Sequence, residues 1–196
     1  MFNRRTLIHA YQANHAAIAR DSVPLERRQE LSEAAVLVPI VERADGLTVL
    51  LTQRAEQLKK HAGQVSFPGG RRDASDLSLA HTALRETFEE VGIGERHIEL
   101  LGPLATYATI TGFHVTPFLA LLRPDFELSL QASEVSAAFE VPLAYLLKPE
   151  NHLRREHVVL GRSRLFYEIP WHDRPIWGAT AAMIRNLARH LGTLAV

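Results

Sequence analysis

The chain has no cysteine among its 196 residues, which excludes disulfides, thiolate zinc sites and cysteine nucleophiles. That absence suits a reducing compartment, and a cytoplasmic location is the expectation. No run approaches the roughly 18 consecutive apolar residues of a membrane helix, so no membrane partner is expected. Net charge is also missing, because 22 basic residues balance 22 acidic ones. Nothing global therefore suggests a nucleic-acid partner, and an anionic ligand would have to be met by a local cluster of positive charge. Internal repeats and low-complexity tracts are absent too. The first twenty residues contain no acid and set Leu7, Ile8, Tyr11 and Ile18 on one helical face. Organellar targeting segments share that look, but this one is poor in serine, and an amphipathic helix packed on the domain is the preferred reading.

What is present is an ordinary globular composition, 46% hydrophobic and 22% charged, long enough for a full core. Residues 34–43 and 47–54 read as a hairpin turning at Ala44-Asp45-Gly46. A long irregular loop follows and ends in Phe67-Pro68-Gly69-Gly70, where glycines let the backbone approach a ligand closely. The recurrence of Leu77, Ala80, Leu84, Phe88 and Val91 predicts a helix over 75–91, ended by Gly92. IELLGPLATYAT and FHVTPFLALL read as strands, 134–147 as a short helix interrupted at Pro142, and HVVLG with RLFYEI as a strand pair. A closing helix over 180–191 carries the core stripe Met183, Ile184, Leu187 and Leu191. The pattern indicates an α/β fold of the α+β kind, a mixed sheet flanked by helices.

The segment Leu84 to Ile93 bears the most chemistry. Glu86, Glu89 and Glu90 fall within about 100° of one another on a helix and, off the apolar stripe, should face outward. Like charges three and four apart repel by roughly 0.2–0.5 kcal/mol per pair, and the negative end of a helix prefers cations. A divalent cation with oxygen ligands relieves both conflicts; a solvated acidic helix end is the alternative. Arg85 is spaced to pair with Glu89. Just upstream, Arg54, Lys59, Lys60, Arg71 and Arg72 surround His61 with only Glu56 opposing, a charge pattern suited to a phosphorylated substrate.

Residues Gly70 to Ile93 resemble the Nudix box, G-x5-E-x7-R-E-U-x-E-E-x-G-U with U aliphatic. Gly70, Arg85, Glu86, Glu89, Glu90, Gly92 and Ile93 supply most of its fixed positions. Asp76 stands at the first glutamate, the gap to Arg85 is one residue longer, and Thr87 fills an aliphatic position. Leu50-Leu51-Thr52-Gln53-Arg54, Leu58, His61 and Gly63 to Gly70 are similar to LLTxRxxxLxxHxGxxxFPGG, the mark of the coenzyme A pyrophosphatase branch.

The resemblance implies a Nudix-like α/β/α sandwich with a loop–helix–loop catalytic motif, in a domain over 31–196 preceded by a helical extension over 1–30. It also implies Mg²⁺ or Mn²⁺ held by Glu86, Glu89, Glu90 and the Gly69 carbonyl, with Arg85 supporting the catalytic glutamates. Glu134 is the candidate extra glutamate, as base or ligand; a helix-start acid is the other reading. Substrate contacts are expected from Arg54, His61, Phe67, Arg71, Arg72, Thr111 and Gly112. For His61 a loop-ordering hydrogen bond is preferred to catalysis, and Thr111-Gly112 could equally be a turn. The implied substrate is coenzyme A or acyl-coenzyme A, cleaved to 3′,5′-ADP and 4′-phosphopantetheine, and a homodimer is possible. Alternatives are a pyrophosphatase for ADP-ribose, NADH or another nucleoside diphosphate derivative, and an inactive nucleotide-binding module. Trp171 and Trp177 read as core or interface residues.

Overall fold

A computed structural model describes residues 2–14, 30–58, 61–159 and 162–194. Two long strands dominate it. Strand β1 (Ser32–Arg43) runs parallel to β7 (Phe113–Leu122) and antiparallel to its hairpin partner β2 (Gly46–Arg54). Strand β8 (Val135–Pro142) and the short β3 (Val65–Ser66) pair with β2, β4 (Gly69–Arg71) with β1, and β5 (Ile98–Pro103) and β6 (Tyr107–Ala108) with β7. The sheet is thus mixed, as the pattern of strands and helices indicated. A second antiparallel sheet follows the order β11 (Ile176–Trp177), β10 (Arg162–Ile169), β9 (Leu153–Val159).

Alternation along the strands explains the layering, since successive side chains point to opposite faces. Ala34, Val38 and Ile40 of β1 join the cluster that contains Leu7 and Tyr11 of α1 (Arg4–Ala13) and Ile184 and Leu187 of α4 (Gly178–His190). Ala35, Leu37 and Val41 join the cluster on the other face, with Ala83 and Val91 of α2 (Leu79–Val91). Helices therefore cover both faces, giving the expected α/β/α arrangement.

The N-terminal helix is packed on the domain. Leu7 is fully buried, the Tyr11 hydroxyl donates to the Pro103 carbonyl at 3.0 Å, and Asn14 Nδ2 donates to the His190 carbonyl at 2.9 Å. Ile18 of the expected face lies outside the described residues, as do Lys59 and Lys60 of the basic loop. Among the described residues no helix is long and apolar enough to cross a membrane.

Several expectations need correction. Residues 134–147 are mostly a strand, β8, followed by the single turn α3 (Leu143–Leu146). Pairing with β2 from Arg54↔Val135 to Thr48↔Pro142 outweighs any local helix preference, and Pro142 caps the turn instead of interrupting it. IELLGPLATYAT splits into β5 and β6, and the loop before Gly70 contains β3 and β4. Helix α2 starts at Leu79, because Ser78 caps it by accepting from the His81 amide. Its buried face is Thr82, Ala83, Thr87, Glu90 and Val91, whereas Leu77 and Phe88 of the supposed stripe are 89% and 61% exposed. Trp177 is exposed, and Trp171 is partly buried, edge-on to Tyr145.

Candidate active site

Helix α2 is held at both ends by polar contacts. Before it, Asp76 is fully buried and accepts from Arg85 Nε at 2.9 Å and Nη2 at 3.0 Å, from the Asp73 amide and the Thr82 hydroxyl at 2.9 Å each, and it lies 3.1 Å from His81 Nδ1. The Arg85 hydrogen bonds hold its carboxyl well below the usual range despite burial. At the far end Gly92 is left-handed, φ 77°, and a Cβ there would meet Ser129 Cβ at 2.8 Å. The amides of Ser129 and Gln131 then donate to the Val91 and Glu90 carbonyls at 3.0 Å each, satisfying acceptors that a helix end leaves open.

Anchored by Asp76, Arg85 spreads its guanidinium over the carboxylates. Its Nη1 lies 3.0 Å from Glu86 Oε1 and 2.9 Å from Glu89 Oε2, and Nη2 donates to the Arg71 carbonyl at 3.3 Å. The expected Arg85–Glu89 pair is therefore present, within a larger network that also ties helix to loop. Thr87 at the aliphatic position is buried and bonds back to the Ala83 carbonyl at 2.7 Å, so its hydroxyl is satisfied within the helix.

Glu90 does not face outward. It is 3% exposed, and Oε2 accepts from the Gly69 amide at 3.1 Å. Burial pushes its carboxyl up to about 7; the Gly69 amide and the Arg54 charge oppose the rise, while Glu86 and Glu134 add to it. Burial likewise raises Glu86, against the pull of Arg85 and with a push from Glu89 and Glu134. Glu134 is thus an electrostatic neighbour of both, although it sits in a turn before β8 and not at a helix start. Its amide donates to the Gln131 carbonyl at 2.9 Å, and its own carbonyl accepts from the Ala55 amide at 2.8 Å.

The glycine turn fits against this row. A Cβ on Gly70 would stand 2.5 Å from the Glu86 carboxylate, and one on Gly69, at φ +150°, would run into the β1 backbone. Arg54 ends β2 behind Glu90, with Nε buried and without a hydrogen-bond partner among the described residues. His61 lies 2.8 Å, through Nδ1, from Gln64 Oε1, the loop-ordering contact expected of it. Phe67, expected at the substrate, is instead 2% exposed within the core and presents no surface to a ligand. Thr111 and Gly112 form a turn in which the Gly112 carbonyl accepts from the Ser32 amide at 2.9 Å. Neither lines the cleft of about 670 Å³ that is bounded by Arg71, Arg72, Asp73, Ala74, Ser75, Arg85, Glu86 and Glu89.

The cleft lining combines the cations Arg71, Arg72 and Arg85 with the carboxylates Asp73, Glu86 and Glu89. Among the described residues no three histidine, aspartate or glutamate side chains are placed together so that they could hold a metal ion. The chemistry of the row, though not its present spacing, suits a hard divalent cation: its donors are oxygens, two carboxylates are raised by burial, and they repel one another.

The NUDIX domain model matches residues 31–160. The chain belongs to the Nudix hydrolase family. It is 45% identical over 166 residues to the Nudix hydrolase NudL of Escherichia coli O7:K1, covering 82% of this chain and 83% of that one. The NudL protein of Citrobacter koseri is 42% identical over 170 residues, with 86% and 85% covered. Among solved structures, the Nudix hydrolase RenU of M. smegmatis superposes with a TM-score of 0.59 at 19% identity, covering 84% of this chain and 88% of that one, which supports the fold. A C. elegans Ap4A hydrolase gives 0.50 at 24% identity over 57% and 80%. This Nudix protein is accordingly a hydrolase of the phosphoanhydride type acting on small molecules, in a family that generally uses divalent metal ions. Sequence reasoning undervalued two features of its site: Asp76 as the anchor of Arg85, and the inward face of Glu90. A polar Thr82–Thr87 face beside Ala83 was the available signal, because it marks the side of α2 that carries buried polar groups.

Proposed function

We propose that this Nudix hydrolase cleaves the diphosphate of coenzyme A and its acyl derivatives to 3′,5′-ADP and 4′-phosphopantetheine, using Mg²⁺ or Mn²⁺. The observation that carries this reading is the cleft lined jointly by Arg71, Arg72, Glu86 and Glu89. The Leu50 to Gly70 motif adds support, since its Arg54 acts electrostatically on Glu90 and its Gly69 amide binds that carboxylate.

Glu86, Glu89 and Glu90 would hold the ion, with the Gly69 carbonyl as a further ligand. Such an ion would supply charge neutralisation for the diphosphate oxygens and would make water a better nucleophile. The chain's own groups do the positioning. Asp76 fixes Arg85, and Arg85 holds Glu86 and Glu89 in position. Arg71 and Arg72 give the cleft wall the positive charge that a phosphorylated substrate needs. Arg54 balances the charge behind Glu90. Glu134 accepts the proton of the attacking water; the oxygen of that water bonds to one phosphorus, and the bridging oxygen leaves with the other phosphate.

The test is a substrate panel with Mg²⁺ or Mn²⁺: coenzyme A, acetyl-coenzyme A, ADP-ribose and NADH. Highest kcat/KM on the two coenzyme A substrates is expected. Faster turnover of ADP-ribose or NADH would contradict the assignment.

A further inference from the structure

The open end of the cleft differs from the glutamate row. A hollow of about 350 Å³ adjoins it and shares Arg71, Arg72, Asp73 and Ala74, with Ser32 and Glu33 closing the other side. These arginines belong to rigid backbone. Arg71 pairs with Ala34 between β4 and β1, its carbonyl receives Arg85 Nη2 at 3.3 Å, and the Arg72 amide donates to the Glu33 carbonyl at 3.0 Å. The hollow thus has a fixed position relative to Glu86 and Glu89.

Its side chains are arranged as a cation held by a weak internal anion. Arg72 Nη1 donates to Glu33 Oε2 at 2.7 Å, and Nη2 donates to the Asp76 carbonyl at 3.4 Å. Asp73 is turned to its own loop, accepting from the Ser75 amide at 2.9 Å and hydroxyl at 2.8 Å. No hydrogen bond or ion pair engages the exposed Arg71 guanidinium among the described residues. The Arg72 and Glu33 side chains remain 38% and 50% exposed, and an ion pair this wet is weak. A phosphomonoester brings nearly twice the charge and three acceptor oxygens to the same guanidinium.

We propose that Arg72, with Arg71 beside it, is an anion subsite for a phosphomonoester remote from the scissile diphosphate, and that Glu33 is the internal competitor occupying it in the free enzyme. The proposal rests on the coenzyme A reading, because the 3′-phosphate of that substrate is such a group. Glu33 then sets how strongly the enzyme prefers 3′-phosphorylated substrates over otherwise identical ones.

Two measurements test it. Calorimetry compares adenosine 3′,5′-bisphosphate with adenosine 5′-monophosphate at one salt concentration, for the wild type, Arg72→Gln and Glu33→Gln. The wild type should bind the bisphosphate about tenfold more tightly. Arg72→Gln should bring the two within about twofold, and Glu33→Gln should widen the preference by about two- to fivefold. Equal affinities in the wild type, a preference that Arg72→Gln leaves intact, or one that Glu33→Gln narrows would overturn it. The second measurement is the kcat/KM ratio of coenzyme A to 3′-dephospho-coenzyme A. Equal efficiency would overturn the subsite while leaving the diphosphatase reading standing. A bisphosphate preference that follows Arg72, in a protein that hydrolyses neither substrate, would support the subsite and contradict the coenzyme A reading.

Discussion

Replacing Asp76 with alanine should release α2 from its anchor. The Asp76 side chain is fully buried and accepts two hydrogen bonds from Arg85, one from the Asp73 amide and one from Thr82. Removing one partner of a buried ion pair costs about 3–5 kcal/mol, because the other charge is left without compensation. Arg85 is 23% exposed at its side chain, so water can partly replace the lost carboxylate, and about 3 kcal/mol is the expected loss. That is a large share of a typical total of about 5–15 kcal/mol. In urea, with a slope of about 2 kcal/mol per molar, the midpoint should fall by about 1.5 M. Asp76→Asn adds a pH signature. The folded carboxyl lies below its unfolded value of about 3.9, so its contribution is complete above that pH and is lost as pH falls through the folded value. The gap between wild type and Asp76→Asn should therefore be constant above about pH 5 and shrink in acid. A midpoint shift under about 0.3 M for Asp76→Ala, or a gap that grows in acid, would refute the reasoning.

Glu90→Gln should have opposite effects on stability and activity. The Glu90 carboxyl is raised from an ordinary 4.5 to about 7, so the folded protein holds its proton where the unfolded chain has released it. Stability of the metal-free wild type should fall as pH rises from about 4.5 to 7 and level off above, by about 3 kcal/mol in all. In chelator at pH 8, Glu90→Gln should melt above the wild type while its turnover drops by orders of magnitude; a lower melting temperature would count against it. Gly70→Ala should cut kcat about 100-fold with a small change in stability, because the added Cβ displaces the Glu86 carboxylate from 2.5 Å away. Activity within threefold of wild type would show that Glu86 can move freely. Arg85→Lys should lose most activity although charge is kept, since an ammonium cannot bridge Asp76, Glu86 and Glu89 as the planar fork does; near-normal kcat/KM would contradict that role.

The strands were legible wherever alternation or continuous apolar runs met clear turns, as in the 34–54 hairpin and 113–122. The local pattern over 134–147 indicates a helix, but β8 is specified by its partner β2, a non-local influence that a local pattern does not carry. Within the site, the spacing of Glu86, Glu89 and Glu90 was visible, and so was the Arg85–Glu89 pair. Their orientation was not: assigning the apolar stripe to Leu77 and Phe88 rotated the helix and turned Glu90 to solvent, whereas small residues at Thr82, Ala83 and Thr87 let α2 pack closely on β1 and draw Glu90 inward. Asp76 was undervalued for a related reason, since its partners Arg85, Thr82 and the Asp73 amide converge only when the loop folds over the helix start.

The proposed activity is cleavage of the diphosphate of coenzyme A with metal held on the Glu86–Glu90 row. Chromatography with mass identification of the products from coenzyme A is its most direct test, run with Mg²⁺, with chelator, and with Glu90→Gln. Equimolar 3′,5′-ADP and 4′-phosphopantetheine from the wild type with Mg²⁺ alone is the predicted result. Intact coenzyme A in that reaction, or the same products at the same rate from Glu90→Gln, would contradict it.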